Sequence, residues 1–401
     1  MKELKLDKNK RYLIAVSGGP DSMALFDMAR KENVPIEAAH VNYHKRDTAQ
    51  RDEDLVREYC KKYRIPFHLH DYEEGKYKGN FQANARKDRY LFFKEVCEEN
   101  GLDEVLIAHQ EDDLLETYLM QKEKKLGVSY YGLKERNVIE GVEVYRPLLS
   151  YTKKDLKEYC DTNHISYGID ESNLRDDYER NRIRHTKIEK MSEDQRNRLL
   201  NEIDHRNTAK QEHYERACEA LYKEVYTIAQ FKKIPYLKDY LSVHFPNRSS
   251  SFYEEMKRQL IESEHCLFEG RDVCFSKEYG KIYLFEKRED YSYVFETGKK
   301  LKDFKCPYFE IREEGEMIEQ FSVNEEDYPL CIRNAGKGDQ IVLRYGTKKV
   351  NRFFIDRKIP LKDRKTWPVV VNQKGEVIFI PMIGCDINHY CLKEYFFMLK
   401  L

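Results

Sequence analysis

An α/β fold is what this sequence predicts: an N-terminal domain on a doubly wound parallel sheet, then a helical arm and a smaller α+β, β-rich C-terminal region. Three observations carry that expectation. Short apolar runs alternate with amphipathic stretches from Arg11 to about His109. A Ser-Gly-Gly turn joins the first run to the first helix, and beyond Phe245 the apolar period shifts towards two. Strands are expected at 12–16, 36–41, 65–69 and 105–108. Between them, Leu55, Val56, Tyr59 and Cys60 fall at helical spacing within 52–63, and Tyr90, Leu91, Phe93, Val96 and Cys97 within 84–98. Such βαβ rhythm implies ligand binding at the carboxyl ends of the strands.

The first strand runs straight into Ser17-Gly18-Gly19-Pro20-Asp21-Ser22. Two glycines let backbone approach an anion without Cβ interference, Ser17 and Ser22 offer hydroxyls, and the following helix directs its N–H groups at the same point. Asp21 repels phosphate unless a cation lies between them, which points to a Mg²⁺ nucleotide. The loop has neither the Lys-Ser/Thr of a Walker A motif nor GxGxxG, and a plain tight turn is also compatible with it.

After the 105–108 strand, Asp112, Asp113 and Glu116 occupy the first turns of a helix, with Asp112 and Glu116 four apart on one face. They suit a Mg²⁺ nucleotide or an ammonium group; acids at a helix N-terminus also simply complement the dipole. Arg86 and Arg89, three apart, can take phosphate oxygens together or remain solvated. His40 and His109 end strands without metal-ligand spacing and read as capped or packed histidines.

A helix is expected at 153–163, charged helix over about 191–224, another helix at 252–263, and a hairpin turn within 277–281. The domains are placed at 1–190, 191–328 and 329–401. With 401 residues there is room for two or three cores, and a net charge of -1 gives no global attraction to nucleic acid. No run approaches the ~18 apolar residues of a membrane span, and 1–8 has no apolar leader core, so a cytoplasmic protein without membrane contact is expected. The ten cysteines show no CxxC, which argues against a local zinc, redox or iron–sulfur motif.

The series SGGPDS, HVNYHKR, ANARKDRY, AHQEDDLLET, RPLL and DESN followed by RNRIRH resembles the tRNA(Ile)-lysidine synthetases, a branch of the PP-loop ATP pyrophosphatases. The stretches NAGKGD and KKVNRFFID, with Ile359-Pro360, Arg364 and Trp367-Pro368, resemble that family's C-terminal domain. Likeness is weakest over about 190–328. Tyr43 stands where the family usually has the second histidine of HVNH, which leaves Asn42 and Arg46 unaffected.

The resemblance implies ATP-dependent attachment of L-lysine to C2 of the wobble cytidine in the CAU anticodon of an isoleucine tRNA, through an adenylated base. By that likeness Ser17, Gly18, Gly19, Pro20, Asp21 and Ser22 cradle ATP, and Asp21 and Asp112 are candidates for Mg²⁺. Asp112 and Asp113 bind the metal or lysine's ammonium, and Glu116 helps deprotonate the amine, mostly protonated near neutrality at a reference pKa of about 10.4. Asn42, Arg46, Arg86, Arg89, His109 and Arg146 are placed at the substrates, and Arg180 and Arg184 close the site. Lys348, Lys349 and Arg352 belong to a stretch, 333–365, with eleven Lys/Arg against three Asp, interleaved with Tyr345, Phe353 and Phe354, suited to tRNA phosphates. Oligomeric state is open, a homodimer being one arrangement.

Two rival readings remain. One is a PP-loop enzyme that thiolates a tRNA base, which normally needs paired cysteines or a cluster. The other is a non-catalytic RNA-binding relic, against which intact Asp21, Asp112 and Asp113 count.

Overall fold

The computed structural model describes all residues except 1–3, 45–47, 73–80, 169–178, 303, 313–319, 390–396 and 401. Two compact units divide the chain, Met1–Glu212 and His213–Leu401.

The first unit is organised by β1 (Tyr12–Ala15), paired in parallel with β2 (Ile36–Asn42) on one side and β4 (Glu104–Ile107) on the other. β3 (Phe67–Asp71) lies outside β2; a hairpin, β5 (Arg136–Ile139) and β6 (Val142–Tyr145), completes the order β3-β2-β1-β4-β6-β5. β6 is parallel to β4, and the edge strand β5 runs antiparallel to β6. Alternation along β1 decides the layers. Tyr12, Ile14 and Val16 pack with Met23, Leu25 and Phe26 of α1 (Pro20–Lys31), Val56 and Cys60 of α2 (Ala49–Tyr63), and Leu156 of α5 (Lys153–Thr162). Leu13 turns to the opposite face, with Tyr90, Phe93 and Val96 of α3 (Phe81–Asn100) and Val105 and Val144 of the sheet. Both faces being covered explains the nearly continuous apolar strands.

Helices α4 (Glu111–Glu123), α6 (Glu179–Thr186) and the 28-residue α7 (Glu193–Ala220) complete the machinery. Helix α1 is fixed through Asp27, which accepts from Tyr59 Oη and Tyr159 Oη at 2.6 Å and pairs with Arg30 and Lys31 at 2.7 Å. Burial opposes ionisation there, but the bonds from Lys31, Tyr159, Tyr59 and Arg30 outweigh it and hold the carboxyl below its usual range.

The second unit is mostly antiparallel. Strands Val225–Thr227, Cys266–Glu269, Val273–Glu278 and Lys281–Glu286 form one sheet against the helix Ser250–Glu262, through Tyr253, Met256, Leu260 and Phe275. The expected hairpin turns at Tyr279-Gly280, both with positive φ. A five-stranded sheet contains Leu330–Asn334, Pro368–Val371 and Val377–Ile380; the hairpin Gln340–Leu343 and Gly346–Lys349 leads into the helix Val350–Asp356. Among the described residues no helix is long and apolar enough to cross a membrane.

Candidate active site

The glycine loop owes its form to two residues. Gly18 has φ +85°, and a Cβ there would lie 2.9 Å from Asp52 Cβ and 3.0 Å from the Asp52 carbonyl. Ser22 Oγ accepts from the Ser17 N–H at 3.1 Å and donates to the Gly19 carbonyl at 3.0 Å, so this hydroxyl shapes the loop. Gly19 begins α1 without a side-chain cap and Pro20 has no N–H. The helix N-terminus therefore faces the loop uncapped. Buried His40 Nδ1–H donates to the Val16 carbonyl at 2.8 Å, pinning the strand end from which the loop departs.

The loop borders a cavity of about 230 Å³ at the carboxyl ends of β1, β2 and β4, with Asp21, Tyr43, Arg89, Tyr90 and His109 in its wall. This is where the strand order reverses, the position at which open α/β sheets bind ligands. In that wall Asp21 Oδ1, an acceptor, and Arg89 Nε, a donor, are buried without a hydrogen-bond partner among the described residues. Buried polar atoms are normally paired, so both are suited to groups of a ligand. Burial, then Asp113 and more weakly Asp112, pushes Asp21 up to about 6, against the opposing charges of Lys153 and Arg184. Arg86 and Arg89 flank the Tyr90 ring at 5.0 and 5.6 Å; Arg86 is exposed and Arg89 half-buried.

The carboxylates of α4 are matched with arginines. Gln110 caps the helix, receiving the Asp112 N–H at 2.7 Å while its own N–H goes to Asp113 Oδ2 at 3.0 Å. Arg196 of α7 bonds Asp112 at 2.6 Å and Glu111 at 3.1 Å. Arg180 Nη2 lies 3.2 Å from Asp113 and its Nε 2.6 Å from Glu116, whose other oxygen accepts from Arg184 Nε. Glu116 is wholly buried, and desolvation raises its pKa despite both guanidinium groups. Asp112 and Glu116, expected to act together, thus have different partners. Arg196 escaped the sequence reading because no motif marks one arginine in a charged helix 84 residues away.

Other expected residues lie elsewhere. Arg146 is buried; its Nε donates to His109 Nδ1 at 3.0 Å and its Nη1 to the Lys134 carbonyl at 2.8 Å and to Asn137. Its guanidinium is engaged inside the fold. Asn42 is also buried, bonding Glu53 at 3.0 Å, and Arg46 lies outside the described residues. Lys348 and Arg352 flank Asp356 at 3.8 and 3.0 Å, with Lys349 exposed between them. The aromatic expectation for this stretch needs correction. Phe353 and Phe354 are buried against the apolar cluster that includes Trp367, whereas Tyr345, at the hairpin tip, is 99% exposed.

Asp21 Oδ1 fits a divalent cation, while Asp112 is already held by Arg196. Among the described residues no group of three or more His, Cys, Asp or Glu side chains could hold a metal by itself. A site completed by substrate phosphates and water is the arrangement Mg²⁺ commonly takes.

Residues 1–191 match the PP-loop domain family and residues 330–393 the TilS substrate C-terminal domain. The tRNA(Ile)-lysidine synthase of Mycoplasma mycoides subsp. mycoides SC is 30% identical over 94% of this chain and 98% of its own length. That of Mesoplasma florum is 28% identical over 94% and 99%. The synthase of Ureaplasma parvum serovar 3 is 47% identical, but over 44% of this chain and 54% of its own, so the chain spans about half of that relative. A PP-loop match over the unit with the cavity, a C-terminal match in the other unit and an end-to-end relative agree: the chain belongs to the tRNA(Ile)-lysidine synthase family.

Proposed function

We propose that the protein is a C–N ligase that joins the ε-amine of L-lysine to C2 of the wobble cytidine in the CAU anticodon of tRNA(Ile), consuming ATP and releasing AMP and pyrophosphate. The product reads AUA as isoleucine instead of AUG as methionine. The observation that carries this reading is the pair of buried atoms without a partner among the described residues, Asp21 Oδ1 and Arg89 Nε, in a cavity beside the glycine loop of a family member.

A ring carbonyl is a poor electrophile. In the first step cytidine O2 attacks the α-phosphorus and the bond to pyrophosphate breaks; in the second the lysine nitrogen attacks C2 and the C2–O bond breaks, releasing AMP. The Ser17–Ser22 loop and the uncapped start of α1 hold the triphosphate. Asp21, with Asp112 as a second candidate, holds Mg²⁺, which when bound supplies charge neutralisation at the leaving pyrophosphate. Asp113 and Glu116 receive lysine's ammonium in exchange for the guanidinium groups of Arg180 and Arg184, which are then available to phosphate. Glu116, its pKa raised by burial, favours taking the ammonium proton. Arg86 and Arg89 are assigned to phosphate or anticodon, and Lys348, Lys349 and Arg352 to tRNA phosphates.

Base thiolation is disfavoured by the thiols of this unit: burial pushes Cys60, Cys97 and Cys160 up to about 12, far from thiolate chemistry near neutrality. The test is incubation with ATP, Mg²⁺, labelled lysine and isoleucine tRNA carrying CAU. Label should become covalently attached to that tRNA and not to methionine tRNA; absence of attachment, or equal attachment to both, rejects the proposal.

A further inference from the structure

We propose that His109 serves the adenylation chemistry as a neutral hydrogen-bond donor, presenting Nε2–H to a phosphoryl or carbonyl oxygen of the substrates, and that Arg146 is the positioning residue that keeps it in this form. The assignment rests on the ligase reading for the identity of the oxygen, but not for the state of the ring.

The argument begins with donors. A guanidinium has only N–H groups, so at 3.0 Å from Arg146 Nε the His109 Nδ1 must accept, and the neutral ring carries its proton on Nε2. Arg146 cannot easily yield. It is 3% exposed, and its Nη1 is tied to the Lys134 carbonyl and to Asn137 of β5. Protonating Nδ1 would set N–H against N–H and a cation against a cation. Burial, the largest influence, disfavours an imidazolium, as do the charges of Arg146, Arg180 and Arg89, against the favouring charge of Asp113.

The ring stands in the cavity wall with Asp21 and Arg89, two residues beyond the end of β4, and its Nε2 has no partner among the described residues. A nitrogen already carrying hydrogen cannot take the proton from lysine's ammonium. It can stabilise an oxygen that gains negative charge as the bond to pyrophosphate breaks, without adding a further cation to the site.

Long-range ¹H–¹⁵N spectra of the full-length protein, labelled in its histidine rings, test this at pH 7.5, with His109 assigned by its loss in His109→Gln. The expected spectrum has Nδ1 unprotonated and Nε2 protonated, and Arg146→Met should release the ring into mixed or doubly protonated forms. A wild-type ring protonated on Nδ1, or an unchanged ring in Arg146→Met, overturns the assignment. If Arg146→Met does not fold, the wild-type tautomer decides.

Activity separates donor from base. Glutamine can place an amide N–H near the imidazole Nε2, so His109→Gln should retain tRNA-dependent pyrophosphate release within about tenfold, whereas His109→Ala should lose about 10²-fold or more. Equal losses overturn the donor role. A wild-type protein without tRNA-dependent release rejects the ligase reading instead, and the tautomer spectrum still stands or falls by itself.

Discussion

Replacing Asp21 by asparagine should make the free protein more stable while removing its activity. In the folded chain the Asp21 carboxyl is raised from 3.8 to about 6, through burial and then the charges of Asp113 and Asp112. A raised carboxyl binds its proton more tightly when folded. The stabilisation this gives is present at low pH and is lost as pH climbs from about 4 to about 6, leaving the ionised form a net burden at neutrality. That difference corresponds to about 3 kcal/mol, and partial access of solvent to the side chain reduces it to about 1–2 kcal/mol. Asparagine keeps the shape and discards the charge. Urea unfolding at pH 7.5 and at pH 4.5, in EDTA and without nucleotide, gives the comparison. Far-UV circular dichroism and hydrogen exchange of the α1 backbone are the suitable probes, because the single tryptophan, Trp367, lies in the other unit. The Asp21→Asn protein should be the more stable at pH 7.5 and should lose most of that advantage at pH 4.5, while tRNA-dependent pyrophosphate release disappears and tRNA affinity is kept. An asparagine variant less stable than wild type at pH 7.5, or an advantage that does not change with pH, refutes the reasoning.

Three further outcomes are expected. Gly18→Ala forces a Cβ into a left-handed conformation 2.9 Å from Asp52, and should cost about 1–2 kcal/mol in thermal melts while lowering ATP affinity measured by calorimetry. Asp27→Ala leaves two tyrosine hydroxyls and two cations without their shared acceptor and should cost about 3–5 kcal/mol. Because the folded Asp27 pKa is depressed, its contribution is fully present above about 4 and fades as pH falls below that, so the gap between wild type and variant in urea should narrow in acid. Charge reversal of Lys348, Lys349 and Arg352 together should weaken tRNA binding and flatten its dependence on log salt by about one unit for each phosphate no longer neutralised, with ATP affinity unchanged in filter binding and calorimetry.

What the sequence disclosed was mostly local. Ser17–Ser22 could be recognised because strand, glycine turn and helix are contiguous, and β1, β2 and β4 because both faces of each are buried and their residues are correspondingly apolar. The β5–β6 hairpin had a turn signal in Glu140-Gly141, both of positive φ, but strands of four residues offer little periodicity. Long-range pairing is another matter. Nothing in the neighbourhood of Arg146 says that its guanidinium turns inward to a histidine 37 residues earlier, or that Arg196 meets Asp112. Adjacent Phe353 and Phe354 resemble an RNA-facing pair until the helix is docked, when both sides of a short amphipathic turn find the same apolar cluster.

The guanidinium groups facing α4 also bear on how the protein is made. Arg180, Arg184 and Arg196 reach back over 64 to 85 residues to neutralise acids near the glycine-loop cavity. A nascent chain that has emerged only as far as β6 therefore has its sheet strands in hand but an acidic helix end without counter-ions. Competence to hold a polyanionic nucleotide arrives when α6 and the start of α7 follow, so during synthesis the scaffold precedes the site, and a chain truncated before residue 196 should fold its sheet and still fail to retain ATP.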